Sequence, residues 1–304
     1  MPLPLSSEAR NKFNSGVENF DVEASDNKDQ SIGQLIKNNN KLTSEQLSEI
    51  LDFQKQNNLK FGESAVKLGY ASDADIVFAL SQQFSYPYTP ENNSTHHSEL
   101  VVASQPFGKQ AESFRAIRSQ LMMRVFNPQE PKRALAITSP RQGEGRTFLT
   151  ANLGIVLAQL GGRTLIVDGN LRHPRLHELF SIPNTSGLTG ILSGRQEENV
   201  IYQAADIPSL FVMPVGITPP NPLELLERPA FRLLIGELLR KFDHVLIDTP
   251  AGSTSSDAFV IAARCGAALT LARRHKTGAD ELANFTAQLK ETTAKLTGII
   301  VNEF

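Results

Sequence analysis

One stretch, residues 133–154 (RALAITSPRQGEGRTFLTANLG), limits what this 304-residue chain can fold into more than any other. A short apolar run, Ala134 to Ile137, passes into a loop from Ser139 to Thr147 with glycines at 143 and 145. A segment follows whose apolar residues Leu149, Leu153, Val156 and Leu157 fall on one helical stripe. Strand, glycine loop and helix in this order form a phosphate-binding turn: the glycines let successive N–H groups face one anion, and the helix N-terminus adds partial positive charge. Thr147 sits where a hydroxyl ligates Mg²⁺. Two positions depart from the strict motif: Arg146 stands where Lys is expected, and Pro140 replaces the leading Gly. Arg keeps the charge on a larger, flatter fork. Gln142, Gly143, Glu144, Gly145, Arg146, Thr147 and Phe148 are the candidate nucleotide-binding residues, with ATP and Mg²⁺ as the implied ligands.

Two further apolar runs end in carboxylates. Residues 164–172 read TLIVDGNLR, placing Asp168 at a strand end, and residues 243–250 read DHVLIDTP, placing Asp248 at another. A carboxylate at a strand end beside a phosphate loop is where a metal-bound water or a substrate hydroxyl is held. From Gln105 onward, apolar runs alternate with amphipathic segments. That alternation predicts an α/β fold over 105–304, a mostly parallel sheet covered by helices on both faces, and the glycine loop within it makes the expected fold that of a P-loop NTPase.

The first part of the chain has a different character. Residues 1–30 are polar and acidic and are expected to form a disordered leader. Residues 31–54 and 60–83 align without gaps at an offset of 29: Ile32-Gly33 matches Phe61-Gly62, Leu47 matches Ile76, and Leu51 matches Leu80. Each copy carries a helix-start signal, at 43–46 (TSEQ) and at 72–75 (SDAD). Neither half has apolar surface enough for a core, so a helical tandem-repeat domain over 31–88 is expected, its copies packed on each other. Residues 89–104 read as a linker.

Composition narrows the function classes. A formal net charge of −2 gives no electrostatic reason to expect nucleic acid. Cys265 is the sole cysteine, which rules out an internal disulfide and fits a reducing compartment. No basic-then-apolar signal segment opens the chain, and no run approaches the roughly 20 apolar residues of a spanning helix. A cytoplasmic protein, recruited to the inner membrane by a partner if at all, is the expectation.

These motifs resemble the bacterial tyrosine kinases, relatives of the MinD-like ATPases. The family pattern has a phosphate loop, then apolar residues with Asp-x-Asp-x-Arg, then apolar residues with Asp-x-x-Pro. Here they read as the 139–147 loop, Asp168-Gly169-Asn170-Leu171-Arg172, and Asp248-Thr249-Pro250. Asn170 replaces the second carboxylate, and Pro250 comes one place early. Glu112, Arg115 and Arg118 fit the Glu-x-x-Arg-x-x-Arg helix through which family members assemble, so the resemblance implies a homo-oligomer. Residues 219–226 (PPNPLELL) and 297–302 (TGIIVN) match further family segments. The resemblance implies a kinase in which Asp168 takes the proton from an attacking hydroxyl. In that scheme Thr147, Asp168 and Asp248 hold Mg²⁺, and Arg146 stabilises charge on the γ-phosphate. It implies activation by a membrane chain-length-determinant (Wzz-like) protein and control of exopolysaccharide chain length, polymerisation or export. The alternative is an ATP-responsive switch without phosphoryl transfer. Residues 31–83 resemble the N-terminal domain of type II secretion ATPases, and the whole chain resembles the exosortase-associated exopolysaccharide kinase group. For the N-terminal module, cyclic di-GMP binding and a purely structural or docking role both stand open. The tyrosines are Tyr70, Tyr86, Tyr88 and Tyr202. A phosphorylated tyrosine tail is not expected, and Tyr86 and Tyr88 are either acceptors in cis or packing residues.

Overall fold

Matching capping residues start the corresponding helices of the two repeat copies. In the computed structural model, which describes residues 35–36, 42–83, 97–195, 198–205 and 207–303, the chain divides into one unit within Val22–Glu112 and a larger one containing Ser113–Phe304. The expected leader 1–30, Tyr86 and Tyr88 lie outside the described residues. In the smaller unit, α1 (Ser44–Asn57) opens with Gln46 N donating to Thr43 Oγ1 at 3.2 Å while Thr43 N donates to Gln46 Oε1 at 2.9 Å. α2 (Phe61–Lys67) follows, then α3 (Asp73–Gln83), which repeats the box: Asp75 N donates to Ser72 Oγ and Ser72 N to Asp75 Oδ2. Each box satisfies two N–H groups that a helix start leaves without partners. Leu35, Ile36, Leu42 and Ile50 of the first copy share one buried cluster with Ala65, Ala71 and Ala79 of the second. The Tyr70 hydroxyl donates to Glu49 Oε2 at 2.6 Å, joining the copies at their surface. The stretch 89–104, read as a linker, departs from that reading at its end. Val101–Ser104 is a helical turn, with Leu100, Val102 and Ala103 buried, because four consecutive apolar residues gain more from burial than from water.

α4 (Lys109–Arg124) leads into the larger unit. Its strands are β1 (Ala134–Thr138), β2 (Thr164–Asp168), β3 (Tyr202–Gln203), β4 (Leu210–Met213), β5 (His244–Asp248), β6 (Gly266–Arg273) and β7 (Lys295–Asn302). They form one sheet in the order β3-β4-β2-β5-β1-β6-β7, parallel throughout except for β3 against β4. β1, β2 and β5 are buried at every residue, as a sheet covered on both faces requires. The helices are α5 (Arg146–Ala158), α6 (Pro222–Glu227), α7 (Pro229–Lys241), α8 (Asp257–Cys265) and α9 (Ala279–Glu291), with shorter turns between. Alternation along the strands separates two cores. Ala134, Ala136, Leu165, Val167, Val245 and Ile247 join a cluster with Phe231 and Leu238 of α7, Ile261 of α8 and Phe285 of α9. On the other face, a Cβ on Gly154 of α5 would stand 2.8 Å from Ile166 Cγ2, so only glycine lets that helix lie so close to β2. From β1 the chain crosses to β2 and β4 on one side, and it later fills β6 and β7 on the other. The loop after β1 therefore opens at the switch point where α/β sheets hold ligands.

The Phe211 ring meets Phe242 edge-on at 5.5 Å and carries the Arg163 guanidinium at 5.3 Å. Phe211→Ala is expected to cost about 3–5 kcal/mol in urea denaturation, whereas Leu233→Ala, at a 44% exposed position, should stay within about 0.5 kcal/mol.

Candidate nucleotide site

Parallel pairing of β2 with β5 sets Asp168 directly beside Asp248 in register, and pairing of β1 with β5 brings Ile137, two residues before the loop, to the same level. Both carboxylates are fully buried. The backbones that carry them are closely packed: Gly169 N donates to Asp248 O at 3.0 Å, and a Cβ at 169 would stand 2.5 Å from that oxygen. Desolvation pushes the Asp168 carboxyl up to about 7, and the neighbouring Asp248 charge adds to the rise. Three backbone donors work against it: Arg175 N and Leu176 N on Oδ2 at 2.9 and 3.0 Å, and Asn170 N on Oδ1 at 3.2 Å. Burial raises Asp248 as well, to about 6, opposed by the Arg146 charge and by the Thr147 hydroxyl, which donates to Asp248 Oδ2 at 2.6 Å.

The loop is polarised. Gly143 and Gly145 take φ of +77° and +96°, a region open to glycine and costly for other residues. Among the described residues, the backbone N–H groups of Gln142, Gly143, Glu144, Gly145, Arg146 and Thr147 donate to no protein acceptor. The carbonyls of Arg141, Gly143 and Glu144 are taken instead by side chains, those of Arg146, Arg273 and Asn302 respectively. Such a row of N–H groups at the start of α5 is the donor set that a nucleotide's phosphates require, so the residues present fit that group. No trio of His, Cys, Asp or Glu suited to a metal occurs among the described residues. A Mg²⁺ ion here would use Thr147, Asp248 and Asp168 together with phosphate oxygens.

Several expected residues are placed in ways the motifs did not reveal. Arg146 is 7% exposed; its Nε donates to Thr249 O at 2.8 Å, and one terminal nitrogen donates to Arg141 O at 2.7 Å and to Ser139 Oγ. Burial lowers its pKa, with Asp248 and Glu144 partly compensating. The Glu144 carboxylate turns into the protein, accepting from Arg141 N at 2.8 Å and from the Thr277 hydroxyl, which leaves its backbone N–H as the part able to meet a ligand. Phe148 packs edge-on against Phe114 at 5.7 Å. Asn170 closes a turn on His173, donating to its carbonyl at 2.9 Å and accepting from its N–H at 3.2 Å. Arg172 forks onto the buried Asp257 at 2.9 and 3.3 Å, tying the end of β2 to the start of α8. Glu112, Arg115 and Arg118 lie along α4, where Arg118 Nη1 donates to Val156 O of α5 at 2.7 Å. Arg273 and Thr277 were missed because the polar end of β6 and the connection after it carry no sequence signal. Asn302 stood only within the family-like segment 297–302.

Fold and loop together define a nucleotide-binding α/β protein of the P-loop class. No family model matches the chain. It is 34% identical over 196 residues to tyrosine-protein kinase CpsD of Streptococcus agalactiae, covering 64% of this chain and 84% of that protein. The kinase domain of Escherichia coli tyrosine kinase Etk superposes with a TM-score of 0.63 at 29% identity, over 70% of this chain and 85% of that one. MinD of Pyrococcus horikoshii, solved with Mg-ADP, gives 0.50 at 25% identity over 57% and 70%. The chain belongs to the bacterial tyrosine-protein kinases. It covers only 29% of the full-length Etk of E. coli strain K12.

Arg146→Ala would leave the Thr249 carbonyl without its donor, while Ser139 Oγ and Arg141 O keep their bond to each other at 3.0 Å, and is expected to lower stability by about 1–3 kcal/mol in urea denaturation. Arg146→Lys, which keeps a donor and the charge, should lose about half as much or less.

Proposed function

We propose that this chain is an ATP-dependent protein-tyrosine kinase acting on other proteins, and that it controls exopolysaccharide chain length, polymerisation or export. The observation that carries the reading is the buried pair Asp168 and Asp248, with Thr147 hydrogen-bonded to one of them, at the foot of a loop whose N–H groups from Gln142 to Thr147 meet no protein acceptor. Bound Mg-ATP supplies the γ-phosphoryl group. Asp168, its proton affinity raised into the neutral range, accepts the proton of the attacking tyrosine hydroxyl. Thr147 and Asp248 would hold the cation, with Asp168 alongside, and the cation would supply positive charge to the phosphates. The loop amides neutralise charge on the phosphates; Arg146 joins them once it leaves the Thr249 and Arg141 carbonyls. The cytoplasm is the assigned compartment, in keeping with the lack of any membrane-length apolar helix among the described residues. Assembly through Glu112, Arg115 and Arg118, activation by a Wzz-like chain-length-determinant protein at the inner membrane, and membership of the exosortase-associated kinase group complete the proposal. The N-terminal module is read as a secretion-ATPase-like element with a structural or docking role, cyclic di-GMP binding being the alternative.

A second reading, an ATP-responsive switch without phosphoryl transfer, is favoured by two observations. Arg146 is bonded to protein oxygens, and Asn170 adds no charge to the metal site. Incubation with labelled ATP, Mg²⁺ and a glutamate–tyrosine copolymer separates the two. Label on tyrosine supports the kinase; Mg²⁺-dependent ATP binding by calorimetry without any label supports the switch; no binding at millimolar ATP sinks both.

For the kinase, the turnover rate should rise with pH through about 7, since below that value Asp168 holds a proton and cannot take another. Asp168→Asn should remove this limb and lower kcat about 10²–10⁴-fold while nucleotide still binds. A pH–rate profile of both proteins is the check.

A further inference from the structure

A peptide plane carries its C=O and the next residue's N–H in opposite directions, so whatever fixes the carbonyl also aims the amide. In this loop two carbonyls are fixed from outside it. Arg273 Nη1, from the end of β6, donates to Gly143 O at 3.0 Å, and Asn302 Nδ2, from the end of β7, donates to Glu144 O at 2.9 Å. A third tie holds the loop's side chain: the Thr277 hydroxyl donates to the buried carboxylate of Glu144 and itself accepts from Arg273 N at 2.7 Å. The fit at Asn302 is close, since a Cβ on Gly145 would stand 2.6 Å from its Nδ2. A side chain at 145 would push Asn302 out of this bond, while the positive φ calls for glycine on its own account.

We infer that Asn302, Thr277 and Arg273 are positioning residues for phosphate binding, which turn the Glu144 and Gly145 N–H groups toward the ligand by holding the carbonyls of Gly143 and Glu144. The inference rests on the nucleotide-binding reading of the loop and adds residues to which neither motif nor metal chemistry assigns a role. None of the three needs to touch the phosphates; each acts by removing the rotations that would point a carbonyl oxygen at the anion. A buried Glu144 carboxylate beside the cradle repels phosphate, so its place there is explained by the grip of Thr277 and Arg141 N on it.

The test measures Mg²⁺-dependent binding of two probes, inorganic triphosphate and ADP, to the full chain by calorimetry. Each variant's thermal midpoint is recorded without ligand. Thr277→Val, close in shape but without the hydroxyl, and Asn302→Ala should each weaken both probes about tenfold. Thr277→Ser, which keeps the hydroxyl, should stay within about twofold of the unaltered protein. Should one variant fail to fold, the other carries the comparison. Affinity for triphosphate within about twofold of the original in both Thr277→Val and Asn302→Ala would overturn the inference. So would a loss confined to ADP, which would place Asn302 against the base. If the unaltered protein binds neither probe, the nucleotide reading itself fails and takes this inference with it.

Discussion

Two carboxylates buried side by side are the constraint around which the larger unit is arranged. Water would solvate them better than any protein interior, and at the end of a parallel sheet they also repel each other. What holds them there is backbone geometry. The register of β2 against β5 sets the two side by side, and the bare Cα of Gly169 lets the backbones that carry them approach this closely. Around the pair, backbone amides, one hydroxyl and the charges of Arg146 and Arg175 offset part of the cost. A group so placed has its proton affinity raised, and a reaction near neutral pH can use that only if something nearby must give up a proton. The strain of burial and the chemistry of the site are the same interaction viewed in the resting and the working molecule.

Arginine in place of lysine in the loop has a structural consequence here. An ammonium is one point of charge; a guanidinium reaches in several directions at once. Arg146 uses this reach to bridge Ser139 and Arg141 at the loop's beginning to Thr249 beyond β5, stitching the segments that flank Asp248. Asn170 shows a similar change of employment. Where a second carboxylate would face a metal, an amide with one donor and one acceptor closes a turn on His173, a pairing that a carboxylate lacking N–H could not complete.

Much of this was legible in the sequence where residue type and spacing are dictated by backbone physics. The strand–glycine–helix order, the apolar runs of β1, β2 and β5, the aspartates that end them and the paired helix starts at Thr43 and Ser72 all follow from local rules. The polar partners did not follow. Asp257 is one acidic residue at a helix start until folding brings Arg172 to it, and Thr277 is an unremarked hydroxyl until Glu144 turns inward. β3, two residues long and antiparallel, has no period to read. The apolar residues 100–103 sat at the end of a polar stretch whose composition argued for a linker, and four residues were too few to outweigh it.

The ties that shape the phosphate loop span most of the larger unit's sequence: Glu144 meets Thr277 across 133 positions and Asn302 across 158. Loop and helix α5 leave the ribosome long before β6 and β7 do. A chain still being synthesised thus exposes a glycine turn whose carbonyls and amides are free to rotate, and it becomes a cradle only when the far edge of the sheet zips on. Contacts so distant along the chain form late. On the reading of Thr277 and Asn302 as positioning residues, competence to hold a phosphate would await completion of the sheet, and a partly made chain would have no finished site with which to act.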